Sequence, residues 1–169
     1  GVGGLCCEAP EHLEPLIQGG TGIHGEAYTN PDVFPEGYEA GTLNMPAIWS
    51  LHESVDYVTC HFEEISNKEI KLMTYLIDGL KEIDSVTVYD KEDLRVATCS
   101  INVKGISSDQ LVSLFDRNGV CVRGGIHCAI LAHEAIGTVS IGAVRLSLNY
   151  RNTEQEIDAA LSILKNVGD

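Results

Sequence analysis

Val122-Arg123-Gly124-Gly125-Ile126-His127-Cys128-Ala129 is the stretch on which the reading of this sequence turns. The apolar run Val120-Cys121-Val122 leads into it and reads as a strand. Arg123 then supplies a fixed positive charge. Gly124-Gly125 reads as a turn or a point of close ligand approach, because glycine tolerates backbone angles that other residues avoid. His127 and Cys128 follow side by side. A thiol next to a cation and an imidazole is the setting that lowers a cysteine pKa and makes thiolate available near neutral pH. A partly buried structural cysteine with a neighbouring histidine is the competing reading, and for an isolated His-Cys pair it is the favoured one. The rest of the chain decides between them.

Downstream, Ala143 to Asn149 alternates Val144, Leu146 and Leu148 against Arg145, Ser147 and Asn149, which predicts a strand with Arg145 aimed out of the core. Thr153 caps a final helix with Glu156 at the third position, and Ile157, Ala160, Leu161 and Leu164 face inward. Residues 128–137 read as helix or loop ending at Gly137. Upstream, Ser107 and Gln110 form a capping box for a helix with Leu111, Leu114 and Phe115 on its inner face and a stop at Asn118-Gly119. Val96 to Val103 reads as a strand, as does Val86 to Tyr89, the latter ended by Asp90-Lys91-Glu92-Asp93. Before them the spacing predicts two helices. One covers about 45–60 with Ile48, Trp49, His52 and Val55 in a stripe. The other is capped by Ser66 with Glu69, carries Ile70, Met73, Leu76, Ile77, Leu80 and Ile83, and is slightly weakened by Gly79. Residues 10–44 are loop-like and rich in glycine and proline, which in a compact domain points to function. The order of elements from about residue 62 implies an α/β domain, with helices over one face of a small mixed sheet.

With 169 residues, 44% of them hydrophobic, the chain can build one domain with a real core, or a small domain plus part of another. Eleven Lys+Arg against 25 Asp+Glu give a net charge of -14, which repels phosphate backbones and anionic membranes. Nucleic acid and membrane surfaces are therefore excluded as partners, and no apolar run has the length of a membrane span. The cysteines sit mostly in apolar, β-like runs and read as reduced, which places the protein in the cytoplasm; Cys6-Cys7 reads as strand filler. The start, Gly1-Val2-Gly3-Gly4 feeding a short strand Leu5-Cys6-Cys7, looks like the middle of a fold and suggests a fragment.

Three stretches in order carry a resemblance: Gly20-Thr21-Gly22 with Glu39-Ala40-Gly41-Thr42-Leu43-Asn44; Arg123-Gly124-Gly125-Ile126-His127-Cys128-Ala129; and Val144-Arg145-Leu146-Ser147-Leu148-Asn149-Tyr150-Arg151-Asn152-Thr153. Together they resemble the C-terminal part of the cysteine desulfurase and selenocysteine lyase group of class V aminotransferase-like enzymes, over nearly the whole chain. The resemblance implies the C-terminal small domain of a fold type I transferase dependent on pyridoxal 5′-phosphate, at residues 62–169. Residues 1–61 would be a remnant of the large cofactor-binding domain with its connecting helix. It also implies that the lysine holding the cofactor lies upstream of Gly1. Lys68, Lys71, Lys81, Lys91, Lys104 and Lys165 all read as surface residues.

The resemblance assigns roles as well. Cys128 matches the nucleophile that takes sulfur from cysteine as a persulfide and releases alanine, and Arg123 and His127 either favour its thiolate or orient the substrate. Arg145 matches the arginine that grips the substrate carboxylate, a task suited to its planar fork. Gly41-Thr42 matches the segment reaching the cofactor phosphate in the neighbouring subunit, which implies a homodimer; Thr42 capping the next helix is the other reading. The implied partners are cysteine or selenocysteine and a sulfur-acceptor protein. Arg151 reads as structural, and His24 and His133 have no assigned role. The chain by itself is expected to be inactive. Two rivals remain: a zinc site from Cys121, His127, Cys128 and His133, whose spacing matches no standard motif, and a non-catalytic α/β module that binds a small ligand or a partner.

Overall fold

Between Met45 and Lys81 the only proline is Pro46, in the first turn, and the only glycine is Gly79, near the end. Nothing interrupts helical hydrogen bonding in between, and the two expected helices are one, α1 (Met45–Lys81). Ser66 is therefore a mid-helix residue, not a cap. Glu69, its expected capping partner, instead accepts a hydrogen bond from the Tyr150 N–H at 3.2 Å. In this computed structural model residues 1–23, 25–91 and 96–167 are described. His24, and Glu92 and Asp93 of the expected turn, lie outside them. The chain divides into two compact units, Gly1–Cys60 and His61–Asp169, and α1 contributes to both.

The first unit is irregular up to α1, as its glycines and prolines predict, with single 3-10 turns at Pro10–His12 and Glu36–Tyr38. The Tyr38 hydroxyl lies 2.9 Å from the carbonyl oxygens of both Pro10 and Leu13, and the Gly41 N–H donates to Gly20 O at 2.7 Å. These bonds tie together segments that have no regular ladder of their own. The expected strand at Leu5-Cys6-Cys7 is absent, and those residues are exposed. A lone extended segment without a neighbouring strand has nothing to pair with. Asn44, not Thr42, caps α1: its Oδ1 accepts from the Ala47 N–H at 3.2 Å.

The second unit holds the core. Its sheet joins β1 (Val86–Tyr89), β2 (Thr98–Val103), β3 (Arg123–Gly125) and β4 (Ala143–Ser147) in the order β1-β2-β4-β3. Every pairing is antiparallel, so the expected mixed sheet is corrected to an antiparallel one. Register aligns Val86 with Val103, Val88 with Ile101, Ile101 with Val144, and Cys99 with Leu146 on one face. On that face lie Leu72, Met73, Leu76, Ile77 and Leu80 of α1, Leu111 and Phe115 of α2 (Ser108–Arg117), and Ile157, Leu161 and Leu164 of α4 (Glu154–Lys165). Ile70, expected in the stripe, is exposed, and Leu72 takes its place. Gly79 has a packing reason: a Cβ there would run into Leu161.

Both remaining capping boxes form as their sequences predict, Ser107 with Gln110 and Thr153 with Glu156. Helix α2 ends at Gly119 in a left-handed conformation, with the Val120 N–H bonded to Phe115 O and the Gly119 N–H to Asp116 O. This explains why the strand expected at Val120–Val122 begins instead at Arg123: the helix end takes the first amide of that run.

Candidate active site

Strand β3 lies against α2 because Gly124 has no side chain; a Cβ there would meet Val112 Cγ2 at 2.7 Å and Ser108 O at 3.3 Å. At Gly124 it is thus a helix, and not a ligand, that comes close, and the turn does not lie on the two glycines. The turn comes next, where the Ala129 N–H donates to Ile126 O at 3.0 Å across His127 and Cys128. Both of these residues are left-handed, with φ of 57° and 58°. Such a turn ordinarily needs glycine or asparagine, and each non-glycine residue held there costs about 1–2 kcal/mol. Strain of this kind clusters at functional positions.

Strand register brings the two expected arginines together. Arg123 sits directly opposite Arg145 on β3 and β4, on the face of the sheet opposite the core of α1, α2 and α4. Ser100 faces Arg145 from β2, and Tyr89 faces Ser100 from β1. Like charges placed opposite one another on a sheet repel, and among the described residues neither arginine has a carboxylate partner. The Arg145 Nε is buried and has no hydrogen-bond acceptor. A buried donor left open beside a second positive charge is what an anionic ligand would complete.

His127 is bound to the same strand. Its Nε2 lies 2.9 Å from Arg123 O, and because a carbonyl only accepts, Nε2 carries the proton. Its pKa lies below the usual 6.5, chiefly through partial burial; the charges of Arg145, His133 and Arg123 lower it further, against the hydrogen bond to Arg123 O. The neutral ring therefore keeps Nδ1 as its proton-accepting atom. The His127 ring stacks at a tilt on that of His133, with centroids 5.6 Å apart. His133 belongs to α3 (Ile130–Ala135) and is 3% exposed, with Nδ1 2.7 Å from Thr138 Oγ1. Sequence reasoning left His133 without a role and missed Thr138; the five-residue interval across Gly137 is not a recognisable motif.

Cys128 is exposed on its turn. Cys6, Cys7, Cys60 and Cys121 are exposed as well, and only Cys99 lies in a strand, contrary to the expectation of cysteines in β-like runs. Burial pushes the Cys99 thiol up to about 12, with Asp90 adding to the effect, so that thiol is inert. Among the described residues no group of three or more His, Cys, Asp or Glu is gathered to hold a metal ion. Arg151 lies on Tyr150, its Nε 3.1 Å from the phenol oxygen. Among the described residues no helix is long and apolar enough to cross a membrane.

The family profile described as "Aminotransferase class-V" matches residues 1–160. The chain belongs to the class V aminotransferase family. A probable cysteine desulfurase of Synechocystis is 32% identical over 165 residues, covering 94% of this chain and 39% of that protein. One from Methanothermobacter thermautotrophicus is 31% identical over 176 residues, covering 99% of this chain and 44% of that protein. The apo structure of a cysteine desulfurase from Thermococcus onnurineus superposes with a TM-score of 0.80 at 26% identity, over 95% of this chain and 40% of that one. The chain thus spans about two fifths of the length of the relatives it matches.

The class V family depends on pyridoxal phosphate, and the residues present fit one end of that cofactor. Gly41, with φ of 86°, bends the backbone, and Thr42 beside it is an exposed residue, as a phosphate contact requires. Gly41's own N–H is already bonded to Gly20 O and is not available. Gly41 and Thr42 belong to the first unit, and Arg123, His127, Cys128 and Arg145 to the second. Among the lysines, Lys71 pairs with Glu154 at 3.9 Å and Lys81 with Asp90 at 3.8 Å, in the manner of surface residues.

Proposed function

We propose that this chain is the C-terminal part of a pyridoxal-phosphate-dependent cysteine desulfurase-like enzyme, with residues 62–169 as its small domain. Residues 1–61 would be part of the large domain and the connecting helix. The observation that carries the reading is the strained turn holding an exposed Cys128 at the end of β3, the strand that sets Arg123 opposite Arg145. Arg145 binds the carboxylate of the substrate amino acid through its unpartnered guanidinium, and Arg123 adds positive charge beside it. His127 takes up a proton at Nδ1 and orients the thiol that follows it. The Cys128 thiolate attacks the substrate sulfur: a new S–S bond forms and the substrate Cβ–S bond breaks, its electron pair stays on Cβ, which takes up a proton to give alanine, and Cys128 keeps the sulfur as a persulfide. Thr42 contacts the cofactor phosphate of a neighbouring subunit, so the working form is a homodimer. When bound, pyridoxal phosphate supplies an electron sink for the carbon that loses sulfur.

The substrate is cysteine or selenocysteine, the persulfide passes to an acceptor protein, and the compartment is the cytoplasm. The 169-residue chain alone is inactive, because its residues offer the cofactor only a phosphate contact. Two experiments test this. In the full-length enzyme, Cys128→Ala abolishes sulfur release from cysteine and leaves cofactor absorbance intact; near-normal turnover would refute the role of Cys128. The 169-residue chain, mixed with pyridoxal phosphate and reduced with borohydride, shows only scattered, substoichiometric lysine labelling and forms no alanine. Stoichiometric labelling of one lysine with alanine formation would overturn its inactivity.

A further inference from the structure

We propose that His133, clamped by Thr138, is the positioning residue that holds the His127-Cys128 turn in its left-handed form. The assignment rests on the reading of Cys128 as the sulfur-accepting thiol. The turn is closed by one backbone bond, Ala129 N–H to Ile126 O at 3.0 Å, and has no glycine at either central position. Its conformation therefore depends on outside support. His127 has two anchors: the bond from Nε2 to Arg123 O, and the ring of His133.

His133 is suited to this because it is buried and bonded at one ring nitrogen. Its side chain is buried, its Nδ1 is held at 2.7 Å by the Thr138 hydroxyl, and Thr138 is only 1% exposed. Thr138 is fixed in turn by the backbone. Its N–H donates to His133 O at 2.8 Å, with the Gly137 N–H bonded to Glu134 O and Gly137 left-handed at φ 71°, which ends α3 in a Schellman arrangement. Its carbonyl accepts from the N–H groups of Ile141 and Gly142, at 3.2 and 2.8 Å. Gly142 leads directly into β4, the strand of Arg145. The support thus runs from the Arg145 strand through Thr138 and His133 to the turn that bears Cys128. An aliphatic residue would fill the buried space at position 133 without needing a partner. An imidazole bonded to a hydroxyl also fixes the angle of the ring against which His127 packs. The charged or titratable groups that face His127 are Arg123 on β3, Arg145 on β4 and His133 on α3.

The test uses the 169-residue chain and does not depend on turnover. Iodoacetamide labelling of each cysteine is followed by peptide mass mapping, with exposed Cys60 as reference and buried Cys99 as the reporter of unfolding. The His127 ring is titrated by NMR in the same samples. In Thr138→Val, Cys128 labelling at pH 7 changes by about threefold or more, and the His127 midpoint rises towards the ordinary 6.5 as its packing loosens. Cys60 and Cys99 keep their wild-type rates, and Thr138→Ser restores both readouts. Where Thr138→Val exposes Cys99, His133→Gln is read by the same criteria. Unchanged Cys128 labelling and an unchanged His127 midpoint in a folded variant would overturn the proposal, as would failure of Thr138→Ser to restore them. If the full-length Cys128→Ala enzyme keeps its turnover while these shifts are seen, the sulfur-transfer reading falls and the positioning role stands.

Discussion

His127 shows how one side chain ties the site to pH. Its folded-state pKa lies below 6.5 and its unfolded value is near 6.5, so below neutrality the unfolded chain binds more protons than the folded one. Its contribution to stability is complete above pH 6.5 and is lost as pH falls from there towards the folded value. Urea midpoints measured from pH 8 to pH 5 are expected to drop on the acid side, and His127→Asn, which tolerates a left-handed backbone, flattens part of that drop. An unchanged slope in the variant would remove His127 as the cause. The position of Arg145 was legible in the alternation of Val144-Arg145-Leu146. Its placement opposite Arg123 was not, because register is set by pairing between strands that the sequence does not print side by side. The left-handed His127-Cys128 pair was equally hidden, since the local signal lay on the two glycines before it, which read as a turn or a point of close ligand approach.

At the scale of elements, capping signals were reliable where the chain changed direction and misleading where it did not. Thr153-Glu156 precedes α4 after an irregular stretch and caps it; Ser66-Glu69 has the same spacing inside α1, and Glu69 turns to Tyr150 instead. Thr153→Ala is accordingly expected to lower stability by about 1 kcal/mol. Ser66→Ala should leave it unchanged or raise it by up to about 0.5 kcal/mol, from helix propensity alone. Equilibrium urea unfolding separates the two, and a loss of stability in Ser66→Ala would restore the capping reading. Gly79 gives a sharper test. Alanine is favoured over glycine in a helix by about 1 kcal/mol, yet a Cβ at this site would strike Leu161. Gly79→Ala is expected to destabilise the wild type and to become neutral or stabilising in a Leu161→Ala background, where the Cβ has room. Equal effects in both backgrounds would mean that the glycine is not there for α4.

For the whole molecule, the fold class and the order of elements were legible, whereas the direction of strand pairing and the continuity of α1 depended on contacts between distant segments. Composition and exposure together make one more prediction. A net charge of -14 keeps copies of the chain apart. Against it stands exposed apolar surface: Trp49 is 68% exposed and Val55 52% exposed in the first unit, and Leu131 is 76% exposed in the second. Charge repulsion is screened over about 10 Å at 0.1 M salt and over about 3 Å at 1 M, while the gain from burying apolar surface remains. Self-association is therefore expected to strengthen as salt rises, the reverse of an assembly held by ion pairs. Trp49 is the only tryptophan, so its fluorescence reports the contact directly. A blue shift that grows with protein concentration and with salt, matched by a higher weight-average mass in sedimentation equilibrium, is the expected result, and Trp49→Glu should reduce that mass. A chain that stays monomeric in high salt, or that dissociates as salt is added, would show that this surface does not drive assembly.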